Sequence, residues 1–402
     1  MSRVIVIGGG ASGLVAAIVA KRGGNDVTIL ERNSKCGKKI LVTGNGKCNY
    51  FNSDFDIKHY YSNNIDKLKM IINEDNKNMI LDFFDSIGII PDIRNGYYYP
   101  YSNQAVSILN ALLLEIDKLD IKVVNNCLVN KIIKNNNQYV INDKYVCDKV
   151  IISCGSYAYY NYDEVNSYDL VRNNKINIIK PLPALVQLVV NDNITKEWSG
   201  VRVNCNVKLY EDDKYIKEEK GEVLFTNYGV SGICVMQLSG IIARGINNKK
   251  YSLVFNFVPS ISNNIEDMIG YLDKYNERCS DRRVIDIFDN LINYKLGNIL
   301  VGKVGSKYYK DLSYDEKVFL VNNLINYKVN IDGTKSYKEA QVCSGGVSLD
   351  DIDINTMEVI NSPGLYITGE LLDVNGDCGG FNLGFAWLSG IIAGSSVGDN
   401  YD

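Results

Sequence analysis

The sequence predicts an α/β fold in which one parallel sheet is assembled from both ends of the chain, with a β-rich and then a helical stretch inserted between them. Three observations predict it. The first thirty residues read strand, tight turn, helix, strand. From about residue 186 to 257 the pattern changes to short alternating strands, and the last sixty residues return to the grammar of the first thirty.

Taken in order, VIVI (4–7) is an apolar strand, GGGASG (8–13) the turn, LVAAIVAKRG (14–23) a helix and DVTIL (26–30) a second strand closed by Glu31. Gly8, Gly10 and Gly13 make GxGxxG. The first glycine permits the tight turn, the second lets backbone approach a pyrophosphate, and the third lets helix and strand touch. The helix N-terminus adds N–H groups and a positive dipole, while Glu31 is placed to accept hydrogen bonds from ribose hydroxyls. Between a strand and a helix, with an acid ending the next strand, this is a dinucleotide-binding signature.

Residues 32–52 are too long and polar for a routine connection, so they read as a functional loop. Helical patterns follow near 65–87 and 103–119, then short strands over 121–153 interrupted by three asparagines at 135–137. KVIISCG (149–155) is a buried strand ending at a glycine, where a nucleotide-binding sheet meets its ligand. VQLVV, VNCNVKLY, YIKEEKGEVLF and YSLVFNFV suggest a β barrel or sandwich, 262–325 is mostly helical, and 327–342 returns to strand. GLYITGE (364–370) and FNLGFAWLSGIIAGSSVG (381–398) supply a last strand, turn and apolar helix.

Composition narrows the class. With 402 residues the chain exceeds the roughly 250–300 at which one core stops growing, and 46% hydrophobic with 22% charged residues is globular. A net charge of -4 makes no general glove for nucleic acid or anionic lipid. Ten cysteines include no CxxC or CxxxxC pair, which argues against zinc, iron–sulfur clusters and a redox dithiol. Val4–Ala20 holds four glycines behind a lone Arg3, a poor export signal. A cytoplasmic protein with no membrane partner and no metal is therefore expected.

No second GxGxxG occurs, so a pyridine-nucleotide disulfide reductase is excluded. FAD is longer than NAD and requires another segment for its ribityl and isoalloxazine parts. GELLDVNGDCGGFN (369–382) suits that task, with Asp373 toward the ribityl chain and the helix starting near Asn382 toward the flavin N1/C2=O edge.

GKKILVTGNGKCN (37–49), KGEVLFTNYGVSG (220–232), VCSGGVSLDDIDINTMEV (342–359) and GLYITGELLDVNGDCGGFNLGFAWLSG (364–390) resemble the bacterial FAD flavoproteins of the aminoacetone-oxidase and bile-acid-inducible-reductase type. That family includes a 23S ribosomal RNA dihydrouridine synthase, and the resemblance spans the chain. It implies a Rossmann-like FAD domain (1–185 and 343–402), an inserted β barrel (186–260 and 326–342) and a helical insert (261–325). It also implies FAD contacts from Gly8, Gly10, Ser12, Gly13, Glu31, Lys39, Cys48, Asn49, the backbone near Val129, Gly155, Gly369, Glu370, Asp373, Gly380 and Asn382. Lys47 stands where the family has arginine, which keeps the charge and loses the bidentate fork. Phe51 replaces a threonine, and Ser153-Cys154-Gly155 replaces an Ala-Thr-Gly type turn.

One histidine, His59, excludes His-based triads and His metal clusters and reads as a surface residue. Proton donors must then come from elsewhere. Cys48, Cys343 and Lys47 are the catalytic candidates, since an ordinary thiol at roughly 8.5 gives up a proton near neutrality. Arg278, Arg282, Arg283, Lys295, Lys303, Lys307 and Lys310 form either a solvated helix face or an RNA footprint. The expected activity is hydride transfer between flavin N5 and a small-molecule or RNA substrate, with NAD(P)H as transient donor. Reduction of a C=C bond such as that of uridine in 23S ribosomal RNA is one form this transfer takes if the resemblance extends to substrate. An oxygen-reoxidised amine oxidase and a flavin-containing binding protein without turnover are the alternatives.

Overall fold

Short runs rich in Val and Ile, buried on both faces, form the centre of a parallel sheet because every side chain can be packed against a helix. The computed structural model describes residues 1–159, 167–172, 176–190, 196–279 and 281–398. It divides into Met1–Leu182 with Val342–Asp402, and Pro183–Gln341.

In the first unit, β1 (Arg3–Ile7), α1 (Ala11–Arg22), β2 (Asp26–Leu30), β3 (Lys122–Val124), β4 (Lys149–Ile152), β5 (Leu365–Ile367) and α2 (Phe381–Ser396) make the frame. The parallel order is β5-β4-β1-β2-β3, extended beyond β5 by the short antiparallel strands Glu358–Val359 and Ile352–Asp353. Register is tight: Ile7 pairs with Leu30 on one side and Ile152 on the other, and Ile152 pairs with Ile367. Four strands therefore end along one edge, where Gly8, Glu31, Ser153 and Thr368 follow them.

Helix α1 is buried almost all round, which its small residues permit. A Cβ on Gly390 would lie 2.5 Å from the Ser12 carbonyl oxygen, and one on Gly394 2.7 Å from that of Ala16. The two helices touch backbone to backbone.

The loop expected at 32–52 contains a short helix, Lys38–Val42, a turn at Thr43–Gly46 and the strand Phe51–Asn52. Thr43, extended at φ -69° and ψ 143°, ends that helix after five residues, and the left-handed Gly44 and Asn45 follow it. The helical pattern near 65–87 is two helices, Ile65–Ile71 and Glu74–Ser86, because the Asn73 side chain caps the second by accepting from Asn76 N.

The second unit holds a seven-stranded sheet. Its central strands are Tyr251–Asn256, Arg202–Glu211 and Lys214–Thr226, and its edge strands, Tyr327–Ile331 and Gly333–Thr334, are separated in the chain by Asp332 alone. An α-helix at Ile233–Gly245 interrupts the stretch read as strands. The helices Ile265–Arg278, Val284–Leu291, Tyr294–Leu300 and Tyr314–Ile325 share one core with the sheet, in which Leu272, Phe288, Leu320 and Leu324 join Trp198, Phe225 and Phe255. No helix among the described residues is long and apolar enough to cross a membrane.

The helix contact gives a first prediction. Gly390→Val must push α1 and α2 apart and should lower stability by about 1–3 kcal/mol or more, read as a lower thermal midpoint of the apoprotein. An unchanged midpoint would refute the close contact.

Candidate functional site

The Gly-rich turn is held from below by its own acid. Glu31 is buried, and its Oε2 accepts from Gly9 N at 2.7 Å. Its Oε1 accepts from Asn33 N and Nδ2, both at 2.7 Å. A Cβ on Gly13 would lie 2.0 Å from the Gly8 carbonyl oxygen, so helix and turn meet as the motif requires. Beside Gly10 and Gly155, by contrast, a Cβ would meet nothing within 4 Å among the described residues. Gly10 is the glycine expected at a pyrophosphate, and Gly155 one of the expected FAD contacts. Val129 is buried, in a segment that Cys127 N and Asn126 N tie to the carbonyls of Glu31 (2.8 Å) and Asn33 (2.9 Å).

A second acid joins three segments. Glu370 Oε2 takes the Lys39 ammonium at 2.5 Å, and Oε1 accepts from Ser156 Oγ at 2.5 Å and Cys343 N at 3.2 Å. The structure therefore brings Lys39, Glu370 and Cys343 together, as well as Ser156, which the sequence reading missed. Gly369 N donates to Ser389 Oγ of α2 at 2.9 Å, with Ser12 against its α-carbon. Asp373 is fully buried, and its Oδ2 accepts from Asn63 N at 2.7 Å and Ser62 Oγ at 3.3 Å.

The N-terminus of α2 begins at Gly380, whose φ is 93°. Asn382 saturates its amide on the preceding turn, accepting from Gly376 N at 2.8 Å and donating to the Gly376 and Asp377 carbonyls. Its side chain is thus a brace for that turn. Asn49 Oδ1 is buried close to Gly380 and has no hydrogen-bond partner among the described residues, which is the condition of an acceptor awaiting a ligand donor.

The candidate proton donors are placed less favourably than an ordinary thiol would suggest. Cys48 is fully buried at φ 55° and burial pushes its thiol up to about 11. Burial, and then the Glu370 charge, pushes Cys343 up to about 12. Both hold their protons firmly at neutral pH. Lys47 is exposed beside Cys48. His59, expected at the surface, is instead half-buried. Its Nε2 lies 2.8 Å from Asp54 Oδ2 and its Nδ1 3.1 Å from Asp377 Oδ2, and its ring stacks on Phe381 at 4.3 Å. Among the described residues no group of three or more His, Cys, Asp or Glu is arranged to hold a metal.

The HI0933-like protein Rossmann domain family matches residues 2–396. The chain belongs to that family. It is 33% identical to the 3-dehydro-bile acid delta(4,6)-reductase of Clostridium scindens, over 99% of this chain and 100% of that one. To the ribosomal RNA dihydrouridine synthase of Escherichia coli it is 25% identical, over 96% and 95%. Among solved structures it is similar to the 3-ketosteroid-delta4-(5alpha)-dehydrogenase of Rhodococcus jostii, with a TM-score of 0.50 and 13% identity over 98% and 96%. The chain is an FAD-dependent oxidoreductase with a Rossmann-like domain.

Two outcomes test this geometry. Cys48 and Cys343 should resist iodoacetamide in the native protein at neutral pH and react once it is unfolded, as read by mass spectrometry of the modified peptides. Glu31→Ala strands the Gly9 N–H and should cost about 1–3 kcal/mol even without ligand, measured by denaturant unfolding of the apoprotein.

Proposed function

We propose that the edge of the parallel sheet binds FAD and that the protein uses it to reduce a carbon–carbon double bond conjugated to a carbonyl in a small apolar molecule. The observation that carries this reading is the whole-length likeness to two reductases. Both of their names describe hydrogen added across a C=C bond, in a 3-oxo bile acid and in uridine. The higher identity to the first, and the state of the basic residues, favour the small molecule. Of the seven cations considered for RNA, Arg283 pairs with Asp286, Lys307 with Glu316 and Lys310 with Asp281. Arg278, Arg282, Lys295 and Lys303 support the second reading, ribosomal RNA. In the second unit we read the sheet as a barrel closed through 327–334 that carries the helices of 261–325 as an insert.

The residues present fit the cofactor, since among the described residues the buried Asn49 Oδ1 has no partner and a Cβ on Gly10 or Gly155 would meet nothing within 4 Å. Bound there, FAD would supply hydride from N5. The first-turn N–H groups of α1, with Gly8, Gly10, Ser12 and Gly13, would take the pyrophosphate. Glu31 and the backbone near Val129 would hold the adenosine half. Lys39, Cys48, Asn49, Gly155, Gly369, Glu370 and Asp373 would line the ribityl side. The N–H groups beyond Gly380, including that of Asn382, would face the edge where negative charge gathers on reduction. The proton that accompanies the hydride remains to be supplied by the candidates Cys48, Cys343 or Lys47, of which the exposed Lys47 is open to solvent exchange.

The test is anaerobic. Purified protein should carry or bind FAD, be bleached by NADH or NADPH, and be reoxidised by 4-androstene-3,17-dione. A protein that binds no flavin overturns the proposal. Reoxidation by ribosomal RNA and not by the enone moves the substrate to the second reading.

A further inference from the structure

His59 is the single histidine of the chain, and its surroundings are unusual. Each ring nitrogen faces a carboxylate oxygen, Nε2 that of Asp54 at 2.8 Å and Nδ1 that of Asp377 at 3.1 Å. An ionised carboxylate only accepts, so both contacts are hydrogen bonds only when both nitrogens carry hydrogen, as in the imidazolium. Asp54 is held below the usual carboxylate range, first by the His59 hydrogen bond and then by Lys58, so it stays an acceptor.

The two carboxylates belong to different parts of the first unit. Asp54 precedes the turn Ile57–His59, whereas Asp377 lies in the turn that leads into α2. Around this pair the main chain is already knitted. Asp377 N donates to the His59 carbonyl at 2.9 Å, Gly376 pairs with Tyr60, and Tyr60 Oη donates to the Phe381 carbonyl at 3.2 Å. The ring of His59 lies flat on Phe381, the first residue of α2.

We infer that His59 is a clamp that fixes the 375–380 turn against 54–61 and so positions the N-terminus of α2 for the cofactor. It is a positioning residue, and the inference rests on the reading that FAD meets that helix end. The charged and titratable groups that face it are Asp54 with its partner Lys58, Asp56 whose carbonyl receives His59 N, Asp377, and Tyr61, whose hydroxyl donates to Asp377 Oδ1 at 3.0 Å.

Two measurements on the untagged protein test this. His59→Gln should bind FAD on the order of tenfold more weakly, and its bound flavin should have a lower reduction potential, because the helix end that faces the reduced flavin has shifted. In the apoprotein the amide of Asp377, which donates to the His59 carbonyl at 2.9 Å, should exchange with solvent faster in His59→Gln. An equal affinity and potential, or an equal exchange rate, would overturn the inference. If the unsubstituted protein binds no FAD, the cofactor reading fails, while the amide exchange still decides the clamp.

Discussion

The contact between the backbones of α1 and α2 is the constraint on which the rest of this unit depends. Gly390 lies on Ser12 and Gly394 on Ala16, four residues apart on each helix and in the same sense, so the helices run parallel. Phe381 precedes Gly390 by nine residues and Ala11 precedes Ser12 by one. The N-terminus of α2 therefore reaches eight residues further, roughly 12 Å at 1.5 Å per residue. Two positive helix ends point the same way at staggered heights. That stagger suits a ligand with one anionic group at its pyrophosphate and a second, formed on reduction, further along. A shorter dinucleotide would have no use for the second helix end.

The contact also explains why the chain's two ends resume one grammar. Ser389, one residue before the crossing glycine, accepts from Gly369 N, so the strand end that carries Glu370 is fixed to α2. Trp387 donates to the Tyr50 carbonyl at 2.9 Å and fixes the end of the 37–50 segment to the same helix. Segments remote in sequence thereby meet one helix at fixed places.

What could be read from sequence was what is local. The strand, turn and helix of the first thirty residues announce themselves within a few positions, as does the acid ending β2. The helix at Lys38–Val42 was hidden because five residues between glycines carry no period, and Ile233–Gly245 because it lies among strands of equal hydrophobicity. The Lys39–Glu370 pair spans 331 residues and the His59–Asp377 contact 318, so nothing in the spacing could announce either. The thiol of Cys48 looked ordinary because its burial is a tertiary fact. The family resemblance supplied the positions of Asn49 and Glu370. Their chemistry, an unpartnered acceptor and a three-way tie, needed the fold.

The acids of the cradle share one habit. Glu31 spends its oxygens on Gly9 and Asn33, Glu370 on Lys39, Ser156 and Cys343, and Asp373 gives its Oδ2 to Asn63 and Ser62. Most of these partners are main-chain groups or short side chains of loops that line the edge. Such acids fix loop shape before any ligand arrives, which lowers the ordering cost of binding. A cradle built this way is indifferent to what lies beyond the cofactor. On the proposed reading, discrimination between a sterol-like enone and a nucleobase falls to residues outside this cradle.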